Sequence, residues 1–64
     1  MENNIIKLMR QMEREFMAAA VDSEKFVDGN KSAGTRIRKH MQNIKSLAQR
    51  VRVEVQEQKN AVTA

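Results

Sequence analysis

The residues best suited to chemistry are the basic ones, because they are concentrated in one part of the chain. The 64-residue sequence has a formal net charge of +4. No acidic residue occurs between Gly29 and Arg52, so this segment carries a charge of +7 and the remainder carries −3. Its basic residues are Lys31, Arg36, Arg38, Lys39, Lys45, Arg50 and Arg52. Uncompensated cations of this kind favour binding to a polyanion, such as the phosphate backbone of a nucleic acid.

Other kinds of chemistry find little support in the sequence. Cys is absent and His40 is the one histidine, so we expect no disulfide, no metal site and no catalytic base with an orienting partner. His40 falls near the edge of an apolar stripe, which favours a packed or rim histidine. We therefore predict that the chain is not an enzyme and has no catalytic residues, no cofactor and no small-molecule substrate.

The aromatic content narrows the nucleic-acid hypothesis. Trp and Tyr are absent, and both Phe residues fall on the apolar stripe described below. Single-stranded nucleic acids are usually held by aromatic side chains on which the bases stack. The sequence therefore favours contact with the phosphate backbone of double-stranded DNA, with little reading of base sequence.

An all-α fold must position these cations. Pro is absent, and good helix formers are abundant. Asn3 and Asn4 suit the start of a helix, Gly29 suits a helix end, and Asn30 suits the start of the next helix. We predict one domain, residues 1–64, with a helix at about 4–27, a turn at 28–30, a helix at about 31–58 and frayed residues at 60–64. The short turn makes the two helices an antiparallel hairpin.

Each helix carries an apolar stripe whose positions step by four and three residues, as in a coiled coil. The predicted core or dimer interface consists of Ile5, Met9, Met12, Phe16, Ile37, Met41, Ile44, Val51 and Val55. A second apolar line on the first helix contains Ile6, Met17 and Val21, and one partner helix cannot cover both lines. We therefore expect two hairpins to pair as a homodimer, giving a four-helix bundle.

Four of the cations form a regular row. Lys31, Arg38, Lys45 and Arg52 are seven residues apart, so they follow one flank of the apolar stripe over roughly 31 Å. One turn of duplex DNA is about 34 to 36 Å long. The other three cations lie elsewhere on the helix, with Arg36 on the opposite flank and the remaining two on the outer face.

Two alternatives to DNA binding stay open on charge alone. The basic face could be merely solvated, or paired with acids of the first helix such as Glu13, Glu15, Asp22 and Glu24. It could also meet an acidic protein or a membrane surface. No apolar run approaches the length of a membrane-spanning helix, so we expect a soluble cytoplasmic protein with no membrane partner.

The stretch at residues 29–39, Gly-Asn-Lys-Ser-Ala-Gly-Thr-Arg-Ile-Arg-Lys, resembles the bacterial linker-histone-like (histone H-one-like) proteins. Residues 44–49 and the Glu- and Lys-containing end at 54–59 continue the resemblance, which covers roughly residues 5 to 60. It implies a nucleoid-associated protein that binds and condenses DNA with little sequence preference. By the same resemblance, the matching basic positions are Lys31, Arg36, Arg38 and Lys39.

Chlamydial members of this family continue into a long Lys- and Ala-rich tail, which is regarded as their DNA-binding arm. This sequence has no such tail, so we expect the hairpin itself to supply DNA binding or mainly to pair and bridge. The alternative function is a structural or protein-interaction bundle with a solvated basic face.

Overall fold

The chain folds into two long helices joined by a short turn. The computed structural model describes the backbone of residues 2–63 and the side chains of residues 2–61. Helix α1 covers Asn4–Val27 and helix α2 covers Lys31–Thr63, and they pack against each other along their length. The part of the chain that is described contains no strand. The predicted all-α helical hairpin is therefore confirmed.

Local hydrogen bonds explain where α1 begins. The side-chain oxygen of Asn3 accepts a hydrogen bond of 2.8 Å from the backbone N–H of Ile5. This N–H has no acceptor within the helix, and an asparagine at the N-cap supplies one.

The turn has the chemistry that its sequence predicts. Gly29 has a φ angle of 105°, which is in the left-handed region that a residue with a Cβ avoids. Its N–H donates to the carbonyl of Phe26, and the N–H of Asn30 donates to the carbonyl of Lys25, both at 3.0 Å. These are the two hydrogen bonds of a Schellman motif. The Asn30 side chain then accepts from the N–H of Ala33 at 3.2 Å and so caps α2.

Helix α2 is longer than the apolar pattern predicts. The pattern fades after Gln58 and predicts fraying at residues 60–64, whereas the helix continues through Thr63. Ala64 lies outside the described residues, as does Met1. The amide of Gln56 donates to the side-chain oxygen of Asn60 at 3.2 Å, one turn later. The residues at 56–59 are Gln, Glu, Gln and Lys, which are good helix formers and favour the helical backbone without a partner helix.

The two helices meet along a seam that is rotated from the predicted stripes. Its most buried apolar side chains are Leu8, Ala19, Ala33 and Leu47. Five predicted interface residues also line it, each partly buried: Ile5, Met12, Ile37, Ile44 and Val51. Polar side chains fill the intervening steps, including Asp22, which is buried, and His40, which is partly buried. The small alanines allow the two backbones to approach closely.

Four of the predicted interface residues lie outside this seam. Met9 and Phe16 on α1 are 51% and 66% exposed, and Met41 and Val55 on α2 are 44% and 39% exposed. Polar residues at seam positions concealed the true contact line, since a stripe drawn through apolar residues alone passes to one side of it. These four therefore do not belong to the core of the hairpin.

The hairpin is a single layer of helices with a thin core. Its smallest dimension is 12 Å, about the diameter of one helix with its side chains. No large side chain among the described residues is completely buried. Both broad sides of the layer are consequently open to solvent or to a partner.

Candidate nucleic-acid interface

All seven predicted cations are exposed, and the structure places one of them in an ion pair. The guanidinium of Arg36 lies 3.0 Å from the carboxylate of Asp22 on α1. Among the side chains described, no acidic residue forms an ion pair with any of the other six. These six are Lys31, Arg38, Lys39, Lys45, Arg50 and Arg52. Their charges are therefore available to an external anion.

Four of the exposed cations form a row that we call the basic ladder: Lys31, Arg38, Lys45 and Arg52. A seven-residue spacing advances the side chain by only about 20° around a helix, so the ladder follows one side of α2. Near the turn, Lys31 and Arg38 border a shallow depression that also contains Phe26 and Gly34. The ladder thus follows the edge of the exposed apolar side chains.

The opposite broad side of the hairpin brings cations of both helices together. Arg50 of α2 borders one shallow groove with Lys7 and an adjoining one with Arg14, and both of these residues belong to α1. We call the surface formed by Lys7, Arg14 and Arg50 the groove face. Glu54 and Glu57 stand at its end and make it less strongly positive than the ladder.

The contribution of α1 to this face is not among the residues predicted from the sequence. Lys7 and Arg14 are seven residues apart, as are neighbours in the ladder, and this spacing places them on one side of α1. The same signal was therefore present in the first helix. Its meaning depended on which side of α1 faces α2, and the apolar stripe placed that side incorrectly.

A polar cluster lies beside the seam on the groove side. Nδ1 of His40 is 2.7 Å from Oε2 of Glu15, and Nε2 is 3.3 Å from Oδ2 of Asp22. Each ring nitrogen therefore faces a carboxylate oxygen, to which it can donate only where it carries a proton. The amide of Asn43 donates to the other oxygen of Glu15 at 3.2 Å, and Arg36 completes the cluster through Asp22.

This cluster changes the titration of its two carboxyl groups. The hydrogen bond from His40 lowers the pKa of Glu15, burial opposes that change, and Asn43 adds to it, so the net pKa lies below the ordinary value. Burial raises the pKa of Asp22, but hydrogen bonds and charge from Arg36 and His40 outweigh it and lower the net pKa. Both groups are therefore held as carboxylates, and Arg36 is partly neutralised.

The chemistry available on these surfaces is the binding of anions. Lysine and arginine side chains provide hydrogen-bond donors and positive charge, which suit phosphate oxygens. Within the described residues, no group of three or more acidic, histidine or cysteine side chains is arranged to hold a metal ion. Neither helix has, over its described length, an apolar stretch able to cross a membrane.

The fold and these surfaces define a small basic helical hairpin whose exposed cations suit a polyanion. The chain belongs to the family of histone H1-like protein Hc1, whose family model matches residues 6–61. The resemblance seen in the sequence over residues 5 to 60 is thereby confirmed. Histone H1-like proteins are DNA-packaging proteins rather than enzymes. Comparison with curated proteins and with solved structures gives no match.

Proposed function

We propose that this protein binds double-stranded DNA without sequence preference and bridges or condenses it in the nucleoid, in the cytoplasm. The observation that carries the proposal is the charge of α2: six of its exposed cations form no ion pair with an acidic residue among the described side chains. Membership of a histone H1-like family supports the same conclusion. We propose no catalysed reaction.

Binding would arise from phosphate contacts and the release of condensed counterions. A protein that neutralises phosphates with Lys and Arg loses affinity steeply as salt rises. The seven predicted DNA-binding residues surround α2, so one straight duplex cannot touch all of them together. We propose that the ladder and the groove face each contact phosphates, and that Lys7 and Arg14 join the seven.

Bridging requires more than one DNA site in a particle. A homodimer of hairpins would provide two copies of every basic surface, and linking two sites raises the effective concentration of the second contact. The exposed apolar side chains Met9, Phe16, Met41 and Val55 support self-association, because a single hairpin leaves them uncovered.

The test is a titration of the protein with a duplex of about 30 base pairs, roughly three helical turns, at several salt concentrations. We expect affinity to fall steeply between about 50 and 200 mM salt. Two duplexes of equal length and unrelated sequence should bind equally well. Undetectable binding at the lowest salt concentration would refute the proposal.

Two variants with the same change in charge identify the surfaces involved. One replaces Arg38, Lys45 and Arg52 of the ladder by Gln, and the other replaces Lys7, Arg14 and Arg50 of the groove face by Gln. Each is expected to reduce the log–log salt slope by about two to three, since each cation contributes about 0.9. If neither variant binds more weakly than the wild-type protein, the basic surfaces do not bind DNA.

A further inference from the structure

One broad side of the hairpin carries a row of uncovered apolar side chains. We call it the apolar face and define it by Met9, Phe16, Val27, Met41 and Val55, which are 39% to 82% exposed. Helix geometry places these residues on the side opposite the groove face. An exposed set of this kind on so small a molecule is typical of an interface.

The two margins of the apolar face have opposite charge. On α2 the margin is the basic ladder, with no acidic residue beside it. On α1 the corresponding margin carries Glu13 and Glu24. Arg10 lies one turn from Glu13 but is paired with Glu2. The basic residues that follow the two glutamates in the sequence are turned about 100° away from them. Both glutamates are exposed and form no ion pair with a described side chain. A partner that covers this face should therefore carry a basic margin opposite α1 and an acidic margin opposite α2.

A second copy of the chain meets both conditions. We infer that two hairpins pair through their apolar faces, with α1 of each lying over α2 of the other, about a two-fold axis parallel to the helices. This inference deepens the proposed function, on which its role in bridging rests. A two-fold interface is self-complementary, so each charged margin needs only its opposite on the same chain.

The register of the hairpin fixes which charges would meet. Hydrogen bonds across the seam join Asn4 to Glu54, Glu15 to Asn43 and Asp22 to Arg36. In each of these pairs the two residue numbers add to 58, and in the other contacts across the seam they add to between 55 and 62. Position n of α1 therefore lies level with about position 58 − n of α2. A two-fold axis parallel to the helices leaves these levels unchanged, so the same rule relates α1 of one copy to α2 of the other.

Applied between the two copies, this rule brings opposite charges together. Glu13 of one copy lies level with Lys45 of the other. Glu24 lies level with position 34, between Lys31 and Arg38 of the ladder. These margin positions correspond to those at which charged residues select partners in coiled coils.

The other two-fold arrangement has the opposite electrostatics. With the axis perpendicular to the helices, α2 would lie over α2 of the partner, and the two ladders would run side by side. Like charges in such positions are destabilising, so charge selects the arrangement in which α1 faces α2. That arrangement directs the two groove faces outward in opposite directions, where each can take a separate duplex.

Charge reversal tests the pairing in the absence of DNA. The wild-type chain is expected to sediment as a dimer at micromolar concentration. Glu13→Lys and Lys45→Glu should each weaken the dimer about tenfold, because each turns two symmetric attractions into repulsions. The double variant with both substitutions should recover the wild-type dissociation constant.

Three results would overturn the inference. They are a wild-type monomer, a double variant as weak as the single variants, and a stronger dimer for Lys45→Glu, which the side-by-side ladders would produce. Arg50→Glu is the matched control, since Arg50 lies on the groove face and its reversal should leave the dimer unchanged. Circular dichroism verifies that each variant keeps its helical content. DNA binding is measured separately, so failure of the pairing and failure of the proposed function are distinguishable.

Discussion

The apolar face and the groove face lie on opposite sides of the same two helices, yet they are built from different residue types. The apolar face exposes large apolar side chains such as Phe16, with charges confined to its margins. The groove face carries cations of both helices beside the exposed Val53, and next to it Asp22, His40 and Arg36 are paired within the chain. Apolar surface that the chain does not cover itself favours a protein partner, whereas exposed cations favour an anion. The difference indicates separate tasks for the two sides.

The largest expected effect comes from placing a charge in the apolar face. Phe16→Glu should abolish self-association. Phe16 is 66% exposed in the hairpin, and the dimer would cover one copy of it in each protomer. Covering the exposed two thirds of this side chain contributes about 1 to 2 kcal/mol, so two copies correspond to a dissociation constant raised at least about 30-fold. Analytical ultracentrifugation measures this change.

The same variant separates bridging from binding. Phe16→Glu should still bind one short duplex but should no longer co-sediment two long DNA molecules. Val21→Glu is the control, since Val21 is 55% exposed on another side of α1. A Phe16→Glu chain that remained dimeric would show that the apolar face is not the interface.

A smaller effect is expected from the polar cluster, and it depends on pH. The folded-state pKa values of Glu15 and Asp22 lie below their ordinary values, so their stabilising contribution is complete above the unfolded-state pKa values. It is lost as pH falls through the lowered folded-state values. The thermal midpoint of the wild-type chain should therefore drop as the solution is acidified below about pH 4.

Asp22→Asn tests that dependence. The variant should be less stable than the wild-type protein at pH 7, and its midpoint should fall less on acidification, because the titrating carboxyl group is absent. Glu57→Gln serves as the control, since Glu57 lies outside the cluster. Equal pH profiles for the wild-type chain and Asp22→Asn would exclude a role for the cluster in stability. The same pH dependence should appear in the monomeric Phe16→Glu variant, because the polar cluster lies within one hairpin and away from the apolar face.

The smallest effect is expected at Gly34, close to the turn. A Cβ at this position would lie 2.8 Å from Cε1 of Phe26, so the ring would have to move. Phe26 is 50% exposed and can turn toward solvent. Alanine favours the helix over glycine by about 1 kcal/mol, which offsets the cost of moving the ring. Gly34→Ala should therefore change the free energy of unfolding by less than about 1 kcal/mol. Denaturant titration measures it, and a loss of several kcal/mol would show that the ring cannot move.

Local chemistry allowed part of the fold to be predicted from the sequence. Asn3, Gly29 and Asn30 satisfy backbone groups within a few residues of themselves, so their roles need no knowledge of tertiary structure. The seam was harder to predict. Met9 and Phe16 are as apolar as Leu8, and Glu15 occupies a seam position because His40 and Asn43 provide hydrogen-bond partners across it.

The candidate site was also predictable from the sequence only in part. The unopposed charge of α2 is visible in the sequence, and the structure leaves six of its seven cations without an ion-pair partner among the described residues. The pairing of Arg36 with Asp22, and the approach of Lys7 and Arg14 to Arg50, depend on the rotation of both helices about their axes. That rotation is set by packing along the whole seam, and the spacing of apolar residues alone does not fix it.

The thin core has a thermodynamic consequence. The seam buries few apolar side chains, so a lone hairpin retains little stability beyond the entropy cost of ordering its chain. If covering the apolar face supplies much of the rest, folding and assembly are linked by mass action. The midpoint of thermal unfolding would then rise with protein concentration. Stability would thus become a property of how many copies are present, and a dilute chain would be less folded than a concentrated one.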